Sequence, residues 1–233
     1  MFLAYKQGAE LPTLAWNANK SDDFFCPVCH EHVILRQGTI VCPHFAHYPD
    51  STCIKSKEGG GGESARHDEM KTIMLKYLID ANGHSQNFGV EYKIGNRRAD
   101  AFIELSSKVR KKGIAIECIH EGNKDLEDVI QKTKEYTQHG IATLWVADFS
   151  AGLNSVADLI GSSKVLQYFR QHWYYGRVYG LTKENELWAA HLDKTFRRKV
   201  YFLKITNFKA VPTKYMEKDS VQLVTFGEGT YWK

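Results

Sequence analysis

Apolar positions along the 233-residue chain recur with different rhythms, and these divide it into three regions. Over residues 1–57 the apolar runs are short and alternate with polar residues. Val33-Ile34-Leu35-Arg36 and Thr39-Ile40-Val41-Cys42 flank Gln37-Gly38, a pattern that predicts a β-hairpin. From residue 63, Met70, Ile73, Met74, Tyr77 and Leu78 fall at helical spacing, which predicts an amphipathic helix ended by Asn82-Gly83. Strands are predicted over 89–93 and 98–104, joined by Gly95-Asn96, with a third over 113–119 after the basic turn 108–112. Residues 125–139 read as a helix closed by Gly140, and 141–147 as a buried strand. Strand, helix and strand in that order predict a parallel pair with a crossover helix. Residues 150–233 carry a predicted helix around 159–172. Aromatic-rich strands follow over 174–181, 186–192, 199–208 and 221–226.

Lys57-Glu58-Gly59-Gly60-Gly61-Gly62 separates the first region from the second, because four glycines in a row cannot pack or hold a helix. The expected domains are therefore 1–57, 63–149 and 150–233.

Composition narrows the class. Hydrophobic residues make up 43% and charged residues 25%, as in an ordinary soluble globular chain, which excludes disorder, collagen-like sequence and a disulfide scaffold. No run approaches the roughly 18 apolar residues of a membrane span. Met1 to Lys6 lacks the basic flank and apolar stretch of a signal peptide, so a cytoplasmic location without a membrane partner is expected. The net charge of +4 is unevenly spread, with twelve Lys/Arg against four Asp/Glu over residues 164–218. Such a region can attract phosphate backbones, although a solvated basic face is its commoner meaning.

Four of the five cysteines fall at 26, 29, 42 and 53, and an odd total argues against a disulfide framework. Cys26-Pro27-Val28-Cys29 has the spacing that lets two thiolates hold one tetrahedral ion. Cys26, Cys29, His44, His47 and Cys53 supply the donors, four of these five, with Cys42 a weaker candidate. Thiolate and imidazole donors select Zn2+ over Mg2+ or Ca2+, in a structural role when four protein ligands close the site.

The second region holds paired carboxylates. Asp100 lies on one predicted strand and Glu117 on the next, where a hard divalent cation between them would relieve their repulsion. Mg2+ or Mn2+ there would polarise a phosphodiester and activate water. Glu63, His67 and Lys71 share one face of the preceding helix, and Glu91 on the first strand can join them. Each acid also has a plainer reading, as an ion-pair partner of Arg97 or Arg98 or as a strand end. Cys118 alternates away from Glu117 as a small core residue. Trp173-Tyr174-Tyr175 and Tyr179 can stack on bases but fit core positions better.

With these residues in this order the sequence resembles the competence protein CoiA family. The matching stretches are 25–29, 33–38 and 44–47, then Glu63 to His67 with Lys71, then 98–100, 115–117, 132–136 and 140–146. The resemblance implies a β-rich zinc module followed by a restriction-endonuclease-like PD-(D/E)XK core, an α+β or α/β fold on a mixed sheet. It implies metal binding by Asp100 and Glu117, with Glu63 and His67 completing the site. Gln131 and Tyr136 resemble the helix motif of RecB-like nucleases, which contacts DNA and supports the site; Arg98 joins them as a nucleic-acid contact. It also implies handling of incoming DNA in natural transformation, and relatives equally serve mobile-element or phage-defence systems.

One position departs from the pattern. Nucleases of this type carry Lys or Gln two residues after the glutamate, where this chain has Ile119. Lys71 or Lys124, or His120 through a bulge, can supply the missing cation. Two functional classes follow: a metal-dependent DNA endonuclease, or a nucleic-acid-binding or recombination accessory with a weakened site. An adaptor built on the zinc module is a third. Expected partners are single- or double-stranded DNA and recombination or defence proteins, and a homo-oligomer is compatible with all three.

Overall fold

The computed structural model describes residues 1, 3–9, 12–26, 29–38, 43–53, 65–82, 87–105, 112–120, 124–174, 176–192, 200–206, 210–212, 223–226 and 229–232. Glu63, Cys42, the glycine connector and the predicted strand 39–42 lie outside them. The chain forms two compact units, Met1–Asp68 and Glu69–Lys233.

The first unit is an antiparallel sheet of five strands in the order β2-β1-β3-β4-β5. These are β1 (Leu3–Lys6), β2 (Pro12–Leu14), β3 (Phe24–Phe25), β4 (His32–Arg36) and β5 (His44–His47). Strand β4 pairs with β3 on one side and with β5 on the other, with Val33 opposite His47 and Arg36 opposite His44. Its core is small. Phe24 and Phe45 meet with tilted rings, centroids 4.7 Å apart, and Val33 and Leu35 pack beside them together with Cys26 and Cys53.

The second unit is built on a mixed sheet of eight strands, β15-β12-β11-β10-β9-β8-β7-β6. Helix α1 (Ala65–Asn82) leads into β6 (Phe88–Ile94), β7 (Arg97–Glu104) and β8 (Gly113–Ile119); α2 (Leu126–Gln138) and β9 (Ile141–Phe149) follow. Strands β6 to β8 are antiparallel, whereas β9 lies parallel to β8, so α2 is the crossover helix that the alternation of elements predicts. Every residue of β8 is buried, as befits a strand covered on both faces. Asp125 caps α2 by accepting from the Glu127 N–H at 3.2 Å.

The last third of the chain extends this same sheet. Its predicted helix is divided at Ser163, whose extended backbone separates α3 (Val156–Ser162) from α4 (Lys164–Tyr168). A π-helical turn, Phe169–Trp173, completes the segment. Strand β10 (Arg177–Thr182) then pairs parallel to β9. Strands β11 (Leu187–Leu192), β12 (Val200–Ile205) and β15 (Gly229–Trp232) continue antiparallel, and β13 (Ala210–Pro212) pairs with β14 (Val224–Phe226) apart from them. Trp173, Tyr174 and Tyr179 are each at most 1% exposed, which is the core placement.

Helix α2 is pinned at three places. The Arg97 guanidinium donates to Glu135 at 2.7 Å and to Asp128 at 2.8 Å. The Trp145 indole donates to the Thr133 hydroxyl at 3.0 Å, inside the core. The Tyr136 hydroxyl reaches Glu117 on β8.

Gly113 opens β8 where a Cβ would stand 2.7 Å from the Ile103 carbonyl and 2.4 Å from the Phe102 ring. Gly113→Ala is therefore expected to cost about 1–3 kcal/mol through overpacking. A urea melt should show a lower midpoint with an unchanged slope.

Candidate functional site

Two side-chain clusters carry chemistry. In the first unit the chain turns sharply after β3. The Cys26 N–H donates to the Glu31 carbonyl at 2.9 Å, and the His30 N–H returns to the Cys26 carbonyl at 3.0 Å. His30 takes a left-handed φ of 60° to close this turn, which carries Cys29 back beside Cys26. Glu31 accepts from the Ser51 and Thr52 hydroxyls, and so ties the segment bearing Cys53 to the same knuckle. The sulfurs of Cys26, Cys29 and Cys53 and a ring nitrogen of His47 all lie within 4.8 Å of one another. Cys29 Sγ is 3.4 Å from His47 Nε2. Metal–ligand bonds of about 2.3 Å to sulfur and 2.0–2.1 Å to nitrogen put tetrahedral neighbours about 3.6 Å apart, so the cluster could hold an ion such as zinc. Burial, followed by hydrogen bonding to Cys53 and Cys26, holds the Cys29 thiol well above its usual range, an unfavourable grouping that a cation would relieve.

His44 is outside this group. It lies three residues before His47 on β5, and side chains three apart on a strand face opposite ways, so only one of the two can join the cysteines. The x2 spacing of the two histidines is a strand spacing.

The second cluster sits where β7 and β8 part. The register between β7 and β8 ends at Ala101 opposite Ile116. Beyond it the Asp100 carboxylate takes over the role of a backbone acceptor, receiving the Cys118 N–H at 2.7 Å in the interior. Asp100 is 7% exposed and Glu117 fully buried. Glu91, facing this point from β6, has a left-handed φ of 53° in mid-strand, a strained backbone for a glutamate. From α1, the buried Lys71 ammonium binds Glu91 and lies 3.9 Å from Asp100 Oδ1. From α2, Lys132 Nζ donates to Glu117 Oε2 at 2.6 Å and the Tyr136 hydroxyl to Oε1 at 2.8 Å. His67 stands one turn before Lys71 on α1.

Burial first, and the Asp100 charge second, push the Glu117 carboxyl up to about 7, against the opposing pull of Lys132. Asp100 and Glu117 thus sense one another, as two acids poised around a shared cation would.

Three predicted nucleic-acid contacts differ in exposure. Tyr136 is fully buried with its hydroxyl spent on Glu117, so it supports the site and does not reach DNA. Gln131 is exposed and bonded to Glu135 at 3.1 Å. Arg98 is exposed and 3.5 Å from Glu91. Asp148, next to the last residue of β9, accepts from Ser150 and stands 3.5 Å from His120. Sequence reading passed over Lys132 as a site residue. Its signal was present as the i, i+4 pair with Tyr136, but which strand residue that helix face meets depends on packing.

The sequence is similar to known proteins over both units. The family model described as competence protein CoiA, N-terminal domain, matches residues 12–56. The one described as competence protein CoiA, nuclease-like domain, matches residues 63–182, more than half of the chain. The chain is 29% identical over 128 residues to the competence protein CoiA of Bacillus subtilis (strain 168), covering 54% of this chain and 32% of that protein. It is 32% identical over 83 residues to the Druantia protein DruB of Escherichia coli (strain UMEA 4076-1), covering 34% of this chain and 15% of that protein. The chain thus spans a third or less of these relatives. No solved structure matches it.

A carboxyl raised from 4.5 to about 7 keeps its proton longer in the folded than in the unfolded chain. The stability it contributes is complete below about pH 4.5 and is lost as pH rises through about 7. In EDTA, unfolding free energy should fall across that window by on the order of a few kcal/mol. Denaturant melts of Glu117→Gln should lose most of that slope.

Proposed function

The chain belongs to the competence protein CoiA family, and from that membership we propose that it is a metal-dependent nuclease acting on DNA, carrying a structural zinc module. Its nuclease-like domain points to nuclease or DNA-processing work in general. The observation that supports hydrolysis is the pairing of Asp100 with a buried Glu117 whose proton affinity its neighbour raises. Oxygen donors of this kind suit a hard cation such as Mg2+ or Mn2+. Such an ion, held by Asp100 and Glu117, would polarise the scissile phosphate and make an attacking hydroxide available near neutral pH.

The chain's own residues have separable tasks in this reading. Asp100 is fixed by the Cys118 N–H, so one carboxylate oxygen is held while the other faces Lys71. Lys71 and Glu91 balance the charge behind it. Tyr136 orients Glu117 from the core side. His67 and Glu63 complete the metal site from the α1 side, as the resemblance implies. Arg98 and Gln131, both exposed, and the basic segment from residue 164 onward grip the phosphate backbone. The substrate is incoming DNA, in competence or in phage defence.

We assign Zn2+ to Cys26, Cys29, His47 and Cys53, on the donor set and its compactness. Metal analysis should find one zinc per chain, lost in Cys29→Ser and His47→Ala and kept in His44→Ala.

Cleavage of supercoiled, linear and single-stranded DNA with Mg2+, Mn2+ or EDTA tests the enzymatic reading. Asp100→Ala and Glu117→Ala should each lower metal-dependent cutting by about 100-fold or more, in line with loss of a group that stabilises the transition state. DNA binding without cutting by wild type would instead favour a nucleic-acid-binding accessory, and absence of binding at low salt an adaptor.

A further inference from the structure

Ile119 occupies the strand position that shares Glu117's face, and its side chain is buried and apolar. It can neither orient water nor stabilise developing charge. Three other candidates lie nearby, each with a partner of its own. Lys71 is 2% exposed and clamped by Glu91 beside Asp100. Lys124 lies over the Trp145 ring, 5.3 Å from its centroid. His120 faces Asp148 at 3.5 Å.

We propose, building on the nuclease reading, that Lys132 of helix α2 is the catalytic cation of this site, supplied from the helix in place of the strand residue that Ile119 replaces. Its ammonium meets Glu117 Oε2 at 2.6 Å, and its side chain is 16% exposed, so it touches both the buried carboxylate and the approach from solvent. An ammonium has three donors. Glu117 takes one, and the others can reach a phosphate oxygen and the attacking water. The helix cannot drift, because Thr133 next door is held by the Trp145 indole and Tyr136, one turn on, holds the other oxygen of the same carboxylate. This is a preorganised charge, aimed before substrate arrives.

The chemical step leaves Lys132 unchanged. The water oxygen bonds to phosphorus as the P–O bond to the leaving sugar oxygen breaks. The water gives up a proton to solvent and the leaving oxygen takes one up.

The test is plasmid cleavage at saturating Mn2+ by wild type, Lys132→Met, Ile119→Lys and the double variant. Methionine keeps an unbranched apolar stem, and circular dichroism melts establish that each variant is folded. Should Lys132→Met fail to fold, the equally uncharged Lys132→Gln replaces it, with and without Ile119→Lys. The expected result is a loss of about 100-fold or more in kcat for Lys132→Met that extra metal does not recover. Ile119→Lys should restore at least tenfold of it in the double variant. Cutting by the folded Lys132 variant at a third or more of the wild-type rate, or no rescue by Ile119→Lys, overturns the proposal while the nuclease reading stands. A wild type inert with every metal overturns both.

Discussion

A carboxylate buried in the middle of a sheet sets the terms for the second unit. Glu117 has no exposed surface, and an uncompensated charge there would cost several kcal/mol. Helix α2 must therefore deliver Lys132 and Tyr136 to it, one to each oxygen. That demand explains the other ties on the helix, to Arg97 on β7 and to Trp145 on β9. The same arrangement is uneconomical as mere scaffolding. An apolar residue at 117 would pack as well without partners, so the expense makes sense where the carboxylate is used.

The two units solve opposite problems with acids and thiols. In the first, Cys26 and Cys53 belong to the hydrophobic cluster itself, so an ion held there would be part of the core of a unit with few large side chains. In the second, the carboxylates are oxygen donors matched by lysines that can yield to a harder cation. Soft donors would close the first site around an ion, whereas hard donors would leave the second able to exchange one.

Much of this was readable from the chain. Helical spacing in α1, the seven-residue apolar-rich run of β8 and the Gly140 stop after α2 are local signals, and they located the elements to within a residue or two. The Cys-x2-Cys knuckle is likewise local. What was not legible depends on which elements meet. Choosing His47 over His44 requires the facing of β5, which follows from its pairing with β4. Recognising Lys132 requires knowing that α2 lays that turn over Glu117. The break at Ser163 replaces an expected single helix because its extended backbone suits the start of α4, which its side chain caps. Tyr136 reads as a surface residue of a charged helix until the sheet beneath it is in place.

The order of the sheet also bears on how the molecule is made. All the carboxylates and lysines of the second cluster lie between residues 71 and 132, in elements that precede β9. Strand β9 pairs with β8 on one side and with the later β10 on the other. During synthesis, then, the acidic cluster can assemble while β9 still offers a bare row of backbone donors and acceptors. The strands that follow act as a cover for that edge, finishing a sheet whose chemistry is already in place.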